Sequence, residues 1–408
     1  MNGPRRVAVT GLGAVSAIGL DVSENWTALS EGRTGIGRIE SVDASGLRFQ
    51  NGAEARAFDP SRYFDPVRLD FLDRFAQFAV VAAREALADS GLRITPELAE
   101  RAAVYTGSCL GGQTTEDAGF ADLYRRGLDR MHPLSIPRVM ANAGASQISM
   151  ELGVTGPACT ISTACSSANH AIGHALWMVR SGVADVALAG GSEAPFSHAH
   201  LKAWEAMRVV SSDTCRPFSA DRRGLILGEG AGMLVLEPLG AAVARGARVY
   251  AELAGFGMSS DAHHLTQPTS SGPARAMRGA LADAGLAVEQ VGYVNAHGTG
   301  TRSNDPAETR AIRDVFGPQA GRLAVSSTKS MHGHALGAAG ALEAVATVLA
   351  LHKGIVPPTA NFTTFDPECD LDVVPNTARA LRVEAALSNS FAFGGLNAVL
   401  AFRARNGT

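Results

Sequence analysis

Ala86-Leu-Ala-Asp-Ser-Gly-Leu92 returns, almost letter for letter, as Ala280-Leu-Ala-Asp-Ala-Gly-Leu286. Each copy closes an alanine-rich amphipathic run, Phe75 to Leu87 and Ala274 to Leu281, with a glycine that ends a helix. An apolar strand follows each, Ala103-Val-Tyr105 and Val291-Gly-Tyr-Val294, and a strand with a glycine turn precedes each, Val7 to Gly13 and Val249 to Gly257. Further on come a small-residue helix, Ser166 to Arg180 and Ala335 to His352, and another apolar strand. Alanine-rich helices produce one seven-residue echo by composition alone; a matching order of elements is harder to produce. Strands alternating with helices predict mostly parallel sheets covered by helices. The chain is therefore expected to be an α/β protein of two duplicated halves, 1–250 and 251–408, whose two sheets stack on a buried helix layer and open their strand ends on one shared site.

Composition narrows the function. With 408 residues, 46% hydrophobic and 18% charged, the chain can bury a large core. A formal net charge of −3 makes nucleic acid a poor partner. The cysteines Cys109, Cys159, Cys165, Cys215 and Cys369 form no Cys-x-x-Cys pair and are too sparse for a disulfide scaffold, which points to a reducing, cytoplasmic setting. Met1 to Ile18 places Arg5 and Arg6 before an apolar stretch, but Gly11 and Gly13 interrupt it and no cleavage site follows, so it reads as a strand and turn. The apolar run Ala344 to Leu351 is far shorter than the roughly 20 residues a bilayer span needs, so no membrane segment is expected.

The chemistry gathers at strand-to-helix junctions. Ile161 to Leu176 runs from an extended start into a helix with apolar positions at Ala168, Ile172, Ala175 and Val179, which sets Cys165 at the helix N-terminus. Free backbone N–H groups and the positive end of the helix dipole favour a thiolate there. A cysteine before a helix is more often a buried structural residue, and its company is what changes that. Two of the 11 histidines stand in glycine-flanked turns, Asn295-Ala-His-Gly-Thr-Gly-Thr301 and Lys329-Ser-Met-His-Gly-His334. His297 follows a strand and His334 opens a helix, so both are expected at the same sheet edge as Cys165. Leu387 to Ala398 sets Gly394 and Gly395 beside Phe391 and Phe393, a turn whose backbone N–H groups suit an oxyanion hole or a plain tight turn. Other patterns fail. Gly11-Leu-Gly13 has Ser16 where a dinucleotide fingerprint has its third glycine, His170 and His174 lack the intervening Glu of a zinc protease, and His198 with His200 lacks further ligands. Neither NAD nor a metal is expected.

Thr163-Ala-Cys-Ser-Ser167, Asn295 to Thr301, Ser327-Thr-Lys-Ser-Met-His-Gly-His334 and Asn389-Ser-Phe-Ala-Phe-Gly-Gly395, in this order, resemble the elongating β-ketoacyl-acyl carrier protein synthases, condensing enzymes of the thiolase fold. The resemblance covers nearly the whole chain and implies a five-layer α-β-α-β-α sandwich, the first half carrying the nucleophilic cysteine and the second the two histidines. It implies that Cys165 takes an acyl chain from carrier protein, that His297 and His334 hold the malonyl thioester while carbon dioxide leaves, and that backbone N–H groups of Cys165 and Phe393 form the oxyanion hole. Lys329, Asp305, Glu308 and Glu343 match the supporting polar network; Phe391 and Phe393 match the gate, with Thr299, Thr301 and Leu110 at substrate-binding positions. No cofactor is implied beyond the phosphopantetheine of the carrier protein. The implied partners are acyl carrier protein, a second copy or a related chain-length factor, with Arg68, Arg125, Arg126, Arg130 and Arg208 as candidate carrier contacts. Leu110, Phe120 and Phe196 are candidate tunnel walls.

Gly300, Ala392 and Leu396 depart from the fatty-acid synthase pattern, and Gly-Thr-Gly-Thr with Asn304-Asp-Pro-Ala-Glu-Thr309 looks more like bacterial polyketide ketosynthases. Without an acyltransferase serine motif or a carrier domain in these residues, a discrete type II polyketide or polyene ketosynthase is expected ahead of a fatty-acid elongation enzyme. Two other classes make different demands on these residues. A non-catalytic chain-length factor would lack Cys165, which this chain keeps, and a coenzyme A thiolase would need Cys369 as a second active cysteine.

Overall fold

The computed structural model describes residues 4–405. Ten strands build the frame: β1 (Val7–Ser16), β2 (Ala102–Gly107), β3 (Ala158–Ile161), β4 (Val186–Glu193), β5 (Gly230–Pro238), β6 (Ala251–Ser260), β7 (Val291–Asn295), β8 (Ala324–Ser326), β9 (Ala385–Ala392) and β10 (Leu396–Ala404). The first five lie in the order β3-β2-β4-β5-β1 and the second five in the order β8-β7-β9-β10-β6. Pairing repeats as well. In each half the outer pairs are parallel, β3 to β2 to β4 and β8 to β7 to β9, and the remaining pairs antiparallel. The halves join where Val7, Ala8 and Val9 of β1 pair with Leu253, Glu252 and Ala251 of β6.

Helices explain why this hydrogen-bonded ribbon folds over. α1 (Arg74–Ser90) and α2 (Ala143–Leu152) cover the outer face of the first sheet, and α4 (Ser271–Ala284) and α5 (Asn304–Phe316) lie outside the second. Between them, α3 (Ser167–Arg180) and α6 (Ala339–Lys353) pack on strands of both halves and on each other. The result is the α-β-α-β-α sandwich expected from the sequence. α6 is buried on all sides from Ala339 to Leu351, so its uniformly apolar sequence belongs to a core helix. Leu336–Lys353 is long and apolar enough to cross a membrane by length and composition, but it fills this middle layer.

The repeated Ala-Leu-Ala-Asp segments are the ends of α1 and α4. Gly91 and Gly285 follow with φ of 67° and 60°, a left-handed turn that glycine adopts without steric cost. Their partner strands carry matching glycines. A Cβ on Gly13 would lie 1.9 Å from the Ala82 carbonyl oxygen, and one on Gly257 would lie 2.1 Å from that of Ala276. Gly11-Leu-Gly13 thus lets helix backbone touch strand backbone, which accounts for it without a nucleotide.

Candidate active site

Cys165 sits between β3 and α3 in a sharp elbow. Ala164 holds φ of 51°, costly for a residue with a Cβ, and hydrogen bonds on both sides fix it. Ser167 Oγ donates to the Ala164 carbonyl at 2.6 Å, and the Thr163 N–H donates to Ser167 Oγ at 2.9 Å. Cys165 is 6% exposed, and its sulfur receives the N–H groups of Phe393 and of Cys165 itself. Burial nevertheless pushes the thiol up to about 11, against the pull of Lys329 and of those two N–H groups. The thiolate expected from the helix N-terminus is therefore not the resting form, because desolvation outweighs the dipole.

Two histidines complete the centre. His297 follows β7 and His334 precedes α6; their ring centroids are 5.4 Å apart with planes at 84°. Lys329 Nζ stands 3.3 Å from His297 Nδ1 and donates to the His297 carbonyl at 2.7 Å. An ammonium group has only donors, so Nδ1 accepts and the ring proton sits on Nε2. The Leu336 N–H reaches His334 Nδ1 at 3.2 Å, which assigns the same tautomer there. Burial, with Lys329 and the neighbouring imidazole, holds His297 well below its ordinary pKa; burial, Lys329 and His332 do the same for His334. Both rings are neutral near pH 7, each with one Nε2–H to donate.

A polar floor keeps them there. Lys329 is fully buried and ion-paired with Glu343, whose carboxyl is pushed up to about 7 by burial while Lys329 pulls it down. Glu308 accepts the N–H groups of His297 and Gly298, both at 2.8 Å, and Asn389 donates to it at 3.2 Å. Asp305 accepts from Gly300 at 3.2 Å and Phe218 at 2.8 Å. Buried charges stabilise little once desolvation is counted, so this network orients more than it stabilises.

Cys165, His297, His334, Thr299, Thr301, Phe391 and Phe393 line one cavity of about 390 Å³. Its wall continues through Trp204, Met207, Val209 and Leu265, and Gly395 beside them has φ of 70°. The remaining expectations divide. Leu110 and Phe196 lie behind the cavity in an apolar cluster that Phe393 packs against. Phe120 does not join them: it is 44% exposed, beside Tyr124 at the surface, because its helix, Gln113–Tyr124, buries no residue. Arg68 turns onto Glu151 at 3.5 Å and Arg126 onto Asp122 at 2.8 Å, whereas exposed Arg208 follows the lining residue Met207. Cys369 is buried in the core of the second half.

Three neighbours went unread in the sequence. Glu193, the last residue of β4, is fully buried and accepts from Ser108 Oγ at 2.9 Å and from the N–H groups of Cys109, Leu110 and Gly337 at 2.9, 3.2 and 3.0 Å. An acid ending an otherwise apolar strand was the available signal. Trp204 and His200, one turn apart on a helix, had none.

The sequence matches the family described as "Beta-ketoacyl synthase, N-terminal domain" over residues 4–242 and its C-terminal domain over 250–363. It is 51% identical over 399 residues to a protein called Nodulation protein E from Rhizobium sp. (strain N33), covering 98% of this chain and 99% of that relative. It is 44% identical to 3-oxoacyl-[acyl-carrier-protein] synthase 2 of Synechocystis sp., covering 98% of each. A solved structure titled "The ishigamide ketosynthase/chain length factor" superposes with a TM-score of 0.95 at 40% identity, over 99% of this chain and 100% of that one.

Proposed function

Because the chain belongs to the β-ketoacyl synthase family, acyltransferases that condense acyl units, we propose that Cys165 is its acyl-bearing nucleophile and that His297 and His334 hold the malonyl thioester. The observation that carries this is the pair of neutral Nε2–H donors converging on the cavity that holds the cysteine sulfur. In the first step Cys165 sulfur attacks the thioester carbon of acyl-carrier protein, the carrier thiol leaves with the proton, and the N–H groups of Cys165 and Phe393 hold the oxyanion. In the second, the malonyl carboxylate leaves as carbon dioxide, and its bonding electrons form an enolate whose oxygen the two histidines hydrogen-bond. The enolate carbon attacks the acyl-cysteine, Cys165 departs as thiolate and takes up one proton, and a 3-oxoacyl chain two carbons longer remains on the carrier. Nothing in these steps calls for a cofactor beyond the carrier's phosphopantetheine.

Lys329, Glu343, Glu308 and Asp305 position the histidines and the turn between them, while Phe391 and Phe393 gate the cavity and Thr299 and Thr301 face the incoming thioester. The partners are loaded acyl carrier protein and a second subunit, either another copy or a chain-length-factor-like chain. Exposed Arg125, Arg130 and Arg208 are the contacts offered to an acidic carrier, and charge reversal at these three should weaken carrier affinity. The halves 1–250 and 251–408 contribute the cysteine and the histidines respectively. Gly-Thr-Gly-Thr supports a polyketide or polyene ketosynthase over fatty-acid elongation, and five free cysteines support a reducing, cytoplasmic setting.

Intact-protein mass spectrometry tests the assignment. Acyl-carrier protein should label the wild type and leave Cys165→Ala unlabelled. His297→Ala and His334→Ala should still acylate but lose about 10²–10³-fold in ketoacyl formation, the usual cost of a missing preorganised donor. Labelling that survives in Cys165→Ala would sink the assignment.

A further inference from the structure

Trp204 borders the cavity but has no part in the steps above. It sits near the end of the helix His198–Met207, is 7% exposed, and belongs both to the cavity wall and to the apolar cluster behind it, with Phe196, Leu201, Leu225 and Leu336. Two contacts fix its plane. The indole N–H donates to His200 Nε2 at 2.7 Å, and since an indole can only donate, that imidazole nitrogen is unprotonated and serves as acceptor. On the other side the indole stacks on the Phe393 ring, centroids 6.3 Å apart and planes at 29°.

Phe393 therefore does two things at once: its backbone N–H points at the Cys165 sulfur, and its ring covers the indole. Trp204 and Phe393 both line the cavity that holds Cys165, so a chain on that sulfur that displaces the Phe393 ring takes its place against the indole. What it brings to the indole decides how much of the lost stacking is recovered. Conjugated carbons offer a thin, rigid π face, whereas methylenes are thicker, rotate about each bond and have no such face.

We infer that Trp204, locked in plane by His200, is a specificity-determining residue that favours acyl chains with planar conjugated unsaturation next to the thioester over saturated chains of equal length. The inference rests on Cys165 as the acyl-bearing nucleophile.

Competition within one sample tests it. Equimolar 2,4-hexadienoyl- and hexanoyl-carrier protein are offered together, and the ratio of the two labels on Cys165 is read by mass spectrometry. Wild type should favour the dienoyl label by about 2- to 12-fold, the range an aromatic pair provides. Trp204→Leu and His200→Ala should bring the ratio close to one. Trp204→Phe keeps an aromatic face and His200→Gln keeps an acceptor for the indole N–H, so both should preserve most of the preference. A merely structural role would lower both labels alike and leave the ratio unmoved. An unchanged ratio in Trp204→Leu, or a wild type that prefers hexanoyl, overturns the inference while leaving Cys165 as nucleophile. No label on wild-type Cys165 from either donor removes the nucleophile assignment and the inference with it.

Discussion

At the residue scale, Cys165 shows what a linear pattern conveys and what it hides. Its place before a helix was legible because helix periodicity is local, and so were the glycine-flanked turns of His297 and His334. Its protonation state was not, because that depends on burial by segments far away in sequence: the thiol is pushed up to about 11 by desolvation. A raised pKa means that the reactive thiolate keeps growing with pH until the solution itself nears that value. Alkylation of Cys165 by iodoacetamide should therefore climb about tenfold per pH unit from pH 7 to 9, with no plateau near the ordinary thiol value of roughly 8.5. A small-molecule thiol of ordinary pKa in the same reaction serves as the reference, because partial burial raises the Cys159 thiol as well. A plateau at Cys165 below pH 9 would show that Lys329 and the two N–H donors outweigh burial. Glu193 and Trp204 were illegible for the same reason, since Glu193 gathers donors from Ser108, Cys109, Leu110 and Gly337 and Trp204 stacks on Phe393, all far away in sequence, and His200 gains its part only through that indole.

At the scale of elements, most of the pattern was readable. The helices ending at Ser90 and Ala284 and the strands beside them fall where period and glycine placed them, because amphipathic spacing and left-handed caps are written in neighbouring residues. What spacing could not convey is how near strand and helix come. Gly13 on β1 and Gly257 on β6 hold equivalent places, each facing an alanine carbonyl of the helix above it. Gly13→Ala and Gly257→Ala should each destabilise the protein by about 1–3 kcal/mol, the usual cost of overpacking a tight contact. Thermal unfolding should register a similar loss for both. Equality is the informative part, for a large loss at one and none at the other would mean that the halves no longer share a packing rule.

At the scale of the molecule, the order 3-2-4-5-1 repeated as 8-7-9-10-6 leaves the halves joined by three residue pairs of strand and by the shared layer of α3 and α6. Each sheet buries its inner face only through helices that the other sheet also needs. Heating should therefore unfold the chain in one calorimetric transition, and residues 1–250 or 251–408 expressed alone should fail to give a cooperative one. Two resolved transitions in the intact chain would contradict this. Stacking of the halves was legible from the repeat, whereas the extent of their mutual dependence was not, since it lies in contacts between α3 and α6. The repeat also matters to heredity. Cys109 stands two residues past the end of β2 as His297 stands two past β7, and Glu193 ends β4 as Ala392 ends β9, just before Phe393. Sibling positions thus inherited one backbone frame and diverged under different burdens, so each half is the other's ancestral control. Where siblings still agree, as at Gly13 and Gly257, the residue answers to folding; where they have parted, as at Cys109 and His297, the difference falls at the proposed site.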